Sequence, residues 1–378
     1  MEPRNGRQPG GERPRRSRCL GPDGGRLLKN GAGRLGIFGV GLIGGSVGLA
    51  ARRAGWHVSG VDLPGSLAAA EAVGAIDRAA TLTELRASDV IVLAAPISRI
   101  KETLPRFSGS NALITDVAST KGGIVAAAEA SGLRFVGGHP MAGSQLSGVA
   151  NARADLFTGA RYFLTPTDRT DPEDYREVQS FVRTLGAVPT AVEPEKHDLL
   201  MAALSHLPHM MAAALLDVAA GISPEALSFA GPAFRDLTRV GASNPELWSD
   251  ILSENSGAVQ EVLEDFVKTL EELGAEVENR KSITRRFSDA REAYDTLGGI
   301  LVEKSGKNVD LAIPVENRPG TFAEVTTLMG SNSINILDLY VRHSNTERAA
   351  LVLTVDSESV APARKLLGDS GFASEVLG

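Results

Sequence analysis

The pattern of apolar and polar positions changes twice along this chain, and the changes divide it into segments. From residue 34 to residue 192, short apolar runs alternate with helical stretches. Residues 35–40, 57–62, 89–96, 112–117, 135–137 and 162–164 read as strands. The continuous apolar character of 89–96 and 112–117 marks strands covered on both faces. A glycine turn opens residues 42–54, which read as a helix rich in small side chains. Helices between most of the strands predict an α/β fold over 34–192, a Rossmann-like, doubly wound, mostly parallel sheet.

After Val192 the period lengthens. Residues 196–220 and 245–273 read as long helices. In the second, Leu247, Trp248, Ile251, Leu252, Val259, Val262, Leu263, Phe266 and Leu270 recur at helical spacing. Helices this apolar pack on one another or on a second subunit, so 193–304 is expected to be an all-α dimerisation domain. A charged helical stretch, 278–295, leads to expected breaks at Gly298-Gly299 and Ser305-Gly306. Over 305–378 the pattern is strand 311–315, helix 321–329, strands 335–341 and 347–355, helix 359–367 and a last strand at 372–377. That βαββαβ order is a small α+β module of regulatory type.

Residues 1–33 are crowded with Arg, Gly and Pro and have little to bury, so they read as a disordered basic tail. The tail lacks the apolar segment of a signal peptide. Across the 378 residues, 43% are hydrophobic and 22% charged, as in ordinary globular protein. A net charge of -7 argues against a general nucleic-acid binder. The single cysteine, Cys19, permits no internal disulfide and suits a reducing cytoplasm. No apolar run approaches the roughly 20 residues of a membrane span, and no metal site is expected.

The chemistry-bearing residues fall at strand ends. In Gly39-Val40-Gly41-Leu42-Ile43-Gly44, Gly39 permits the tight turn, Gly41 lets the backbone approach a pyrophosphate, and Gly44 lets helix and strand pack closely. The phosphates would sit on the helix N-terminus, beside Leu42 and Ile43. Asp62 ends the next strand, where its carboxylate would accept from ribose hydroxyls and repel a 2′-phosphate, favouring NAD over NADP. Pro96 and Asp116 close later strands at the carboxyl edge, where such sheets bind ligands. Ser119 either hydrogen-bonds a substrate hydroxyl or an imidazole, or caps the helix expected from Lys121.

His139, in Gly137-Gly138-His139-Pro140-Met141-Ala142-Gly143-Ser144, lies where a buried strand ends. There an imidazole is placed to take a proton as hydride leaves for the cofactor. The first long helix carries His197-Asp198 and Ser205-His206-Leu207-Pro208-His209. At about 100° per residue, Asp198, Ser205 and His209 share one face, and Pro208 should kink the helix and free the carbonyl of Leu204. The alternative is a helix interface with hydrogen-bonded histidines. In Phe234-Arg235-Asp236-Leu237-Thr238-Arg239, an arginine is the natural clamp for a carboxylate, while one of Arg235 and Arg239 pairs with Asp236 in the competing reading. Trp248 follows, as core or as site lining.

Together these motifs resemble the prephenate dehydrogenase family. The matching segments are 39–46, 116–122, 138–148, Leu156-Phe157 with Leu164-Thr165-Pro166, His197-Asp198, 205–209 and 234–248. The resemblance implies NAD-dependent oxidative decarboxylation of prephenate to 4-hydroxyphenylpyruvate, a step of tyrosine biosynthesis. It implies that His139 takes the ring hydroxyl proton, that Ser119 orients the hydroxyl and His139, and that Arg239 holds a substrate carboxylate. His209, His197 and Trp248 would complete the substrate pocket. The C-terminal segment, with Asn317-Arg318-Pro319-Gly320 and Ile334-Asn335-Ile336, resembles an ACT domain, which implies tyrosine binding near Gly320 and Asn335.

Two positions depart from these patterns: Asn244 stands where the family often has Asp, and Ser333 where ACT domains usually have Gly. No chorismate mutase-like segment is evident. A cytoplasmic homodimer is expected. The rival readings are an arogenate dehydrogenase, a 3-hydroxyacid dehydrogenase and a non-catalytic amino-acid sensor. The lysine acid/base usual in the 3-hydroxyacid class has only Lys196 to supply it, at the start of the helix.

Overall fold

The computed structural model describes residues 33–143, 146–223, 225–301, 308–316, 318–343 and 348–377. Residues 1–32 of the tail expected over 1–33, with Cys19, and also Ser144, Asn317 and the Ser305-Gly306 break, lie outside the described residues. The chain divides into two compact units, one ending at Thr269 and the other beginning at Leu270.

Eight strands run through the first unit: β1 (Arg34–Phe38), β2 (His57–Val61), β3 (Arg78–Ala79), β4 (Val90–Leu93), β5 (Leu113–Asp116), β6 (Phe135–Pro140), β7 (Arg161–Thr165) and β8 (Val188–Ala191). They form one sheet in the order β3-β2-β1-β4-β5-β6-β7-β8. Every neighbouring pair is parallel except β6 with β7. The sheet is the expected one, with β3 and β8 added at its two edges. Both escaped the sequence pattern because β3 has two residues and β8, Val-Pro-Thr-Ala, lacks an apolar run.

Between the strands lie α1 (Leu42–Arg53), α2 (Pro64–Ala72), α3 (Leu82–Leu85), α4 (Ile97–Thr103), α5 (Gly122–Ala130) and α6 (Pro172–Thr184). Strand alternation separates two cores. Val90 and Val92 of β4 pack with Val47 and Ala51 of α1 and Phe181 of α6, while Ile91 and Leu93 pack with Ile100 of α4 and Ile124 and Ala128 of α5. Both faces are therefore dry, which is why these strands read as continuous apolar runs.

The rest of this unit is helical: α7 (Pro194–Met201), a π-helical turn (Ala202–His206), α8 (Leu207–Ile222), α9 (Pro232–Thr238), α10 (Pro245–Glu254) and α11 (Ser256–Glu276), whose last turns pass into the second unit. Two expectations are corrected here. The helix expected over 196–220 is not uniformly α-helical: a π-helical turn interrupts it just before Pro208. Pro208, which lacks an N–H to donate, falls at the second position of α8, directly after that wider turn. The helix expected over 245–273 is divided at Asn255, which ends α10. Pro194–Ile222 is also long and apolar enough to cross a membrane by length and composition, contrary to the sequence expectation. In this fold its polar residues His197 and Asp198 are buried.

In the second unit α12 (Arg280–Leu301) continues through Gly298-Gly299, where a break was expected. Arg286 of α12 pairs with Glu272 and Glu276 of α11, tying the two helices together. Next come β9 (Asn308–Glu316), α13 (Thr321–Ser331), β10 (Asp338–His343), β11 (Arg348–Asp356), α14 (Val360–Asp369) and β12 (Glu375–Leu377). This is the expected βαββαβ order, in an antiparallel sheet ordered β10-β11-β9-β12. Its core joins Leu311, Ile313, Leu351 and Leu353 to Val325 and Leu367 of the helices. Asn335, expected to begin a strand, lies before β10. Ser333 adopts a left-handed φ of 59°, which explains why glycine suits that position.

Candidate active site

The glycine turn connects β1 to α1 as its residue types require. Gly39 has φ 95°, and a Cβ there would lie 2.5 Å from the carbonyl oxygen of Ala94. A Cβ on Gly44 would lie 1.9 Å from the carbonyl oxygen of Gly39, so helix and turn touch through bare backbone. Gly41 differs: a Cβ there would meet nothing within 4 Å. It faces an open cavity of about 960 Å³, and no side chain caps the amides that begin α1. That open space over uncapped amides fits the pyrophosphate of a dinucleotide. Leu42, Ile43 and Pro96 line the same cavity. Asp62 follows β2, and its carboxylate accepts from the amides of Val40 (2.7 Å) and Leu63 (2.6 Å), tying the turn to the second strand.

A second cavity, of about 470 Å³, adjoins the first, the two sharing Ser119, Gly143, Trp248 and Ile251. His139, from the end of β6, and Ser205, His206 and His209, from the helices, line it. The His209 ring stacks on Trp248 with centroids 3.6 Å apart. Its Nδ1 donates to the carbonyl of Ser205 at 2.8 Å, which leaves Nε2 as the acceptor. Arg239 lines the larger cavity and is exposed. Among the described residues it has no ion-pair partner, whereas Arg235 donates to the carbonyl of Ala230. Neither arginine pairs with Asp236, so the competing structural reading is not realised.

Two of the expected site residues sit elsewhere. Asp116 is fully buried and lines neither cavity. Its carboxylate accepts from the amides of Ala118 and Gly138, both at 2.9 Å, and pairs with the ammonium of Lys121. Burial drives the Lys121 pKa down, against the pull of Asp116. His197 is likewise fully buried rather than lining the pocket. Its Nε2 lies 2.9 Å from His139 Nδ1, and its Nδ1 lies 2.8 Å from Asp198 Oδ1.

Asp198 faces away from Ser205 and His209 because the π turn shifts the helical register between them. Its carboxylate instead accepts from the amides of Lys121 (2.7 Å) and Gly122 (2.8 Å) at the start of α5. The cap of α5 therefore comes from α7 and not from Ser119, which is left half-buried at the junction of the two cavities. Asn255 donates to the carbonyl of Asp198 at 2.8 Å and lies 3.1 Å from His206 Nδ1. Lys121 and Asn255 were not singled out in the sequence. Each sits among other polar residues, Lys121 after Ser119-Thr120 and Asn255 between Glu254 and Ser256, and only the fold shows what it touches.

The electrostatics favour neutral imidazoles. Burial, followed by the neighbouring His197, Lys121 and His206, pushes His139 well below the ordinary 6.5. Burial also lowers His206, to about 4. Among the described residues, no group of three His, Cys, Asp or Glu side chains is gathered as metal ligands. The site can thus offer a proton acceptor on one side, a free guanidinium on the other, and a glycine turn open to a dinucleotide.

A family model of the prephenate dehydrogenase nucleotide-binding domain matches residues 47–190, and one of the prephenate dehydrogenase dimerization domain matches 193–287. The prephenate dehydrogenase of Bacillus subtilis is 32% identical over 81% of this chain and 87% of its own length. The crystal structure of Synechocystis arogenate dehydrogenase is 34% identical, with a TM-score of 0.65 over 70% of this chain and 99% of that one. That of prephenate dehydrogenase from A. aeolicus, in complex with hydroxyphenyl propionate and NAD+, is 32% identical with a TM-score of 0.66, over 71% and 98%. The chain belongs to the prephenate dehydrogenase family.

Proposed function

We propose that this chain oxidises prephenate with NAD and releases carbon dioxide to give 4-hydroxyphenylpyruvate. The observation that carries the reading is the junction of two cavities at Ser119, with His139 in one wall and the unpaired Arg239 in the other. When bound, NAD supplies the hydride acceptor for the ring carbon that carries the hydroxyl. His139 accepts the hydroxyl proton, for which a neutral imidazole is required. Ser119 orients that hydroxyl. Arg239 anchors a substrate carboxylate, and the stacked pair of His209 and Trp248 walls the ring. Loss of the ring carboxylate as carbon dioxide leaves its bonding electrons in the ring, which becomes aromatic and makes the step irreversible.

The test is NADH formation followed spectrophotometrically with prephenate and with arogenate, each with NAD and NADP. Turnover is expected with prephenate and NAD. Preference for arogenate would replace the substrate, a reading favoured by the 34% identity to an arogenate dehydrogenase. His139→Asn is expected to lower kcat by about 10²–10⁴-fold while NAD still binds. Full activity in that variant would remove the mechanism.

Regulation and assembly belong to the same reading. Tyrosine is proposed to bind the ACT-like module near Gly320 and Asn335 and to lower activity. Calorimetry without a tyrosine binding signal would refute this. A cytoplasmic homodimer is proposed, because Val218, Ile222, Phe229 and Leu237 leave apolar side chains exposed in the helical segment. Sedimentation as a monomer at micromolar concentration would refute the dimer.

A further inference from the structure

We propose that His197 is a positioning residue which, held by Asp198, keeps the proton on His139 Nδ1 and leaves His139 Nε2 as the acceptor. The inference rests on the reading of His139 as the base, and it assigns His197 a role other than contact with substrate.

The assignment follows from what each group is able to donate. Asp198 is held ionised. Burial works to raise its pKa, but hydrogen bonds from His197 and from the amides of Gly122 and Lys121 outweigh burial and lower it. An ionised carboxylate only accepts, so the hydrogen between Asp198 Oδ1 and His197 Nδ1 belongs to the histidine. With its Nδ1–H given to Asp198, His197 offers His139 the lone pair on Nε2, and the hydrogen in the 2.9 Å contact belongs to His139 Nδ1. His139 Nε2 is left bare, as proton abstraction demands. The opposite tautomer would oppose two lone pairs in a buried contact.

The relay is rigid as well as directional. The Asp198 carboxylate cannot swing, because the start of α5 holds both of its oxygens. The His197 ring meets Phe163 edge-on, with centroids 5.5 Å apart, and is fully buried. Asn255 fixes the backbone of Asp198. Both ring nitrogens of His197 are occupied, so its surroundings serve His139 and no ligand.

Two variants and one spectroscopic measurement test this. In His197→Gln the amide oxygen can accept from His139 Nδ1 while the amide nitrogen donates to Asp198. In His197→Met neither bond is available. His197→Met is expected to lose on the order of 10²-fold in kcat with KM for both substrates within about threefold, and His197→Gln to recover most of it. Nitrogen-15 NMR of the histidines in the full wild-type chain, with His139 assigned by its loss in His139→Asn, is expected to show the Nδ1–H tautomer. That measurement needs neither variant at position 197 to fold and no turnover. An Nε2–H tautomer in the wild type, or a fully active His197→Met, would overturn the proposal. Full activity of His139→Asn would instead sink the reading of the base and leave the tautomer result standing.

Discussion

At the scale of single residues, the site divides into groups that face a ligand and groups that hold them. Arg239 is of the first kind, since it lines the larger cavity and has no ion-pair partner among the described residues. Arg239→Ala is expected to raise KM for the cyclohexadiene substrate by about 10–100-fold, the worth of one charge-assisted pair, with KM for NAD unchanged. Steady-state kinetics with each substrate varied in turn would check it, and a lysine there should recover only part of the loss because it lacks the planar fork. Lys121 is of the second kind. Removing it by Lys121→Met leaves Asp116 charged and unpaired in the core, so a loss of about 3–5 kcal/mol is expected in urea unfolding.

At the scale of elements, the glycine turn contains both kinds of constraint three residues apart. Gly44→Ala drives a methyl into the carbonyl of Gly39 and is expected to lower Tm. Gly41→Ala adds a methyl that touches no protein atom, so Tm should hold while NAD affinity, read by fluorescence titration, falls at least tenfold. Equal Tm losses in the two would refute this division of roles. The turn was legible because glycine spacing encodes a backbone path directly, and the strands were legible because both their faces are apolar.

What stayed hidden in the sequence is instructive at Pro208 and Asn255. Proline forbids one hydrogen bond but does not say how the helix accommodates the loss, and here a π turn precedes it while the Asp198 carboxylate goes to α5. Asn255 looks like any polar position on a helix, and its partners are 57 and 49 residues away. Asp116 was placed at the cofactor edge by its strand end, yet its carboxylate is turned to the buried ammonium of Lys121, five residues on.

At the scale of the whole molecule, buried neutral histidines make stability depend on pH. His206 and His139 take up protons in the unfolded chain near pH 6.5 but only at lower pH when folded. The unfolded state therefore binds more protons as pH falls, so stability is full above about pH 6.5 and declines below it. For His206, with a folded value of about 4, the decline reaches on the order of 3 kcal/mol by pH 4. Urea titrations at pH 7 and pH 4 should show this share disappear in His206→Gln.

The carboxylate of Asp198, which crosses from the helices to crown α5, has a consequence for dissection of the gene. A fragment ending near residue 192 would keep every strand of the nucleotide-binding sheet, yet its fifth helix would begin with bare amides and a lysine stripped of cover. Co-expressed halves should rescue one another, because docking restores the Asp198 cap together with the His197 contacts to His139 and Phe163 and the Lys101–Glu254 pair.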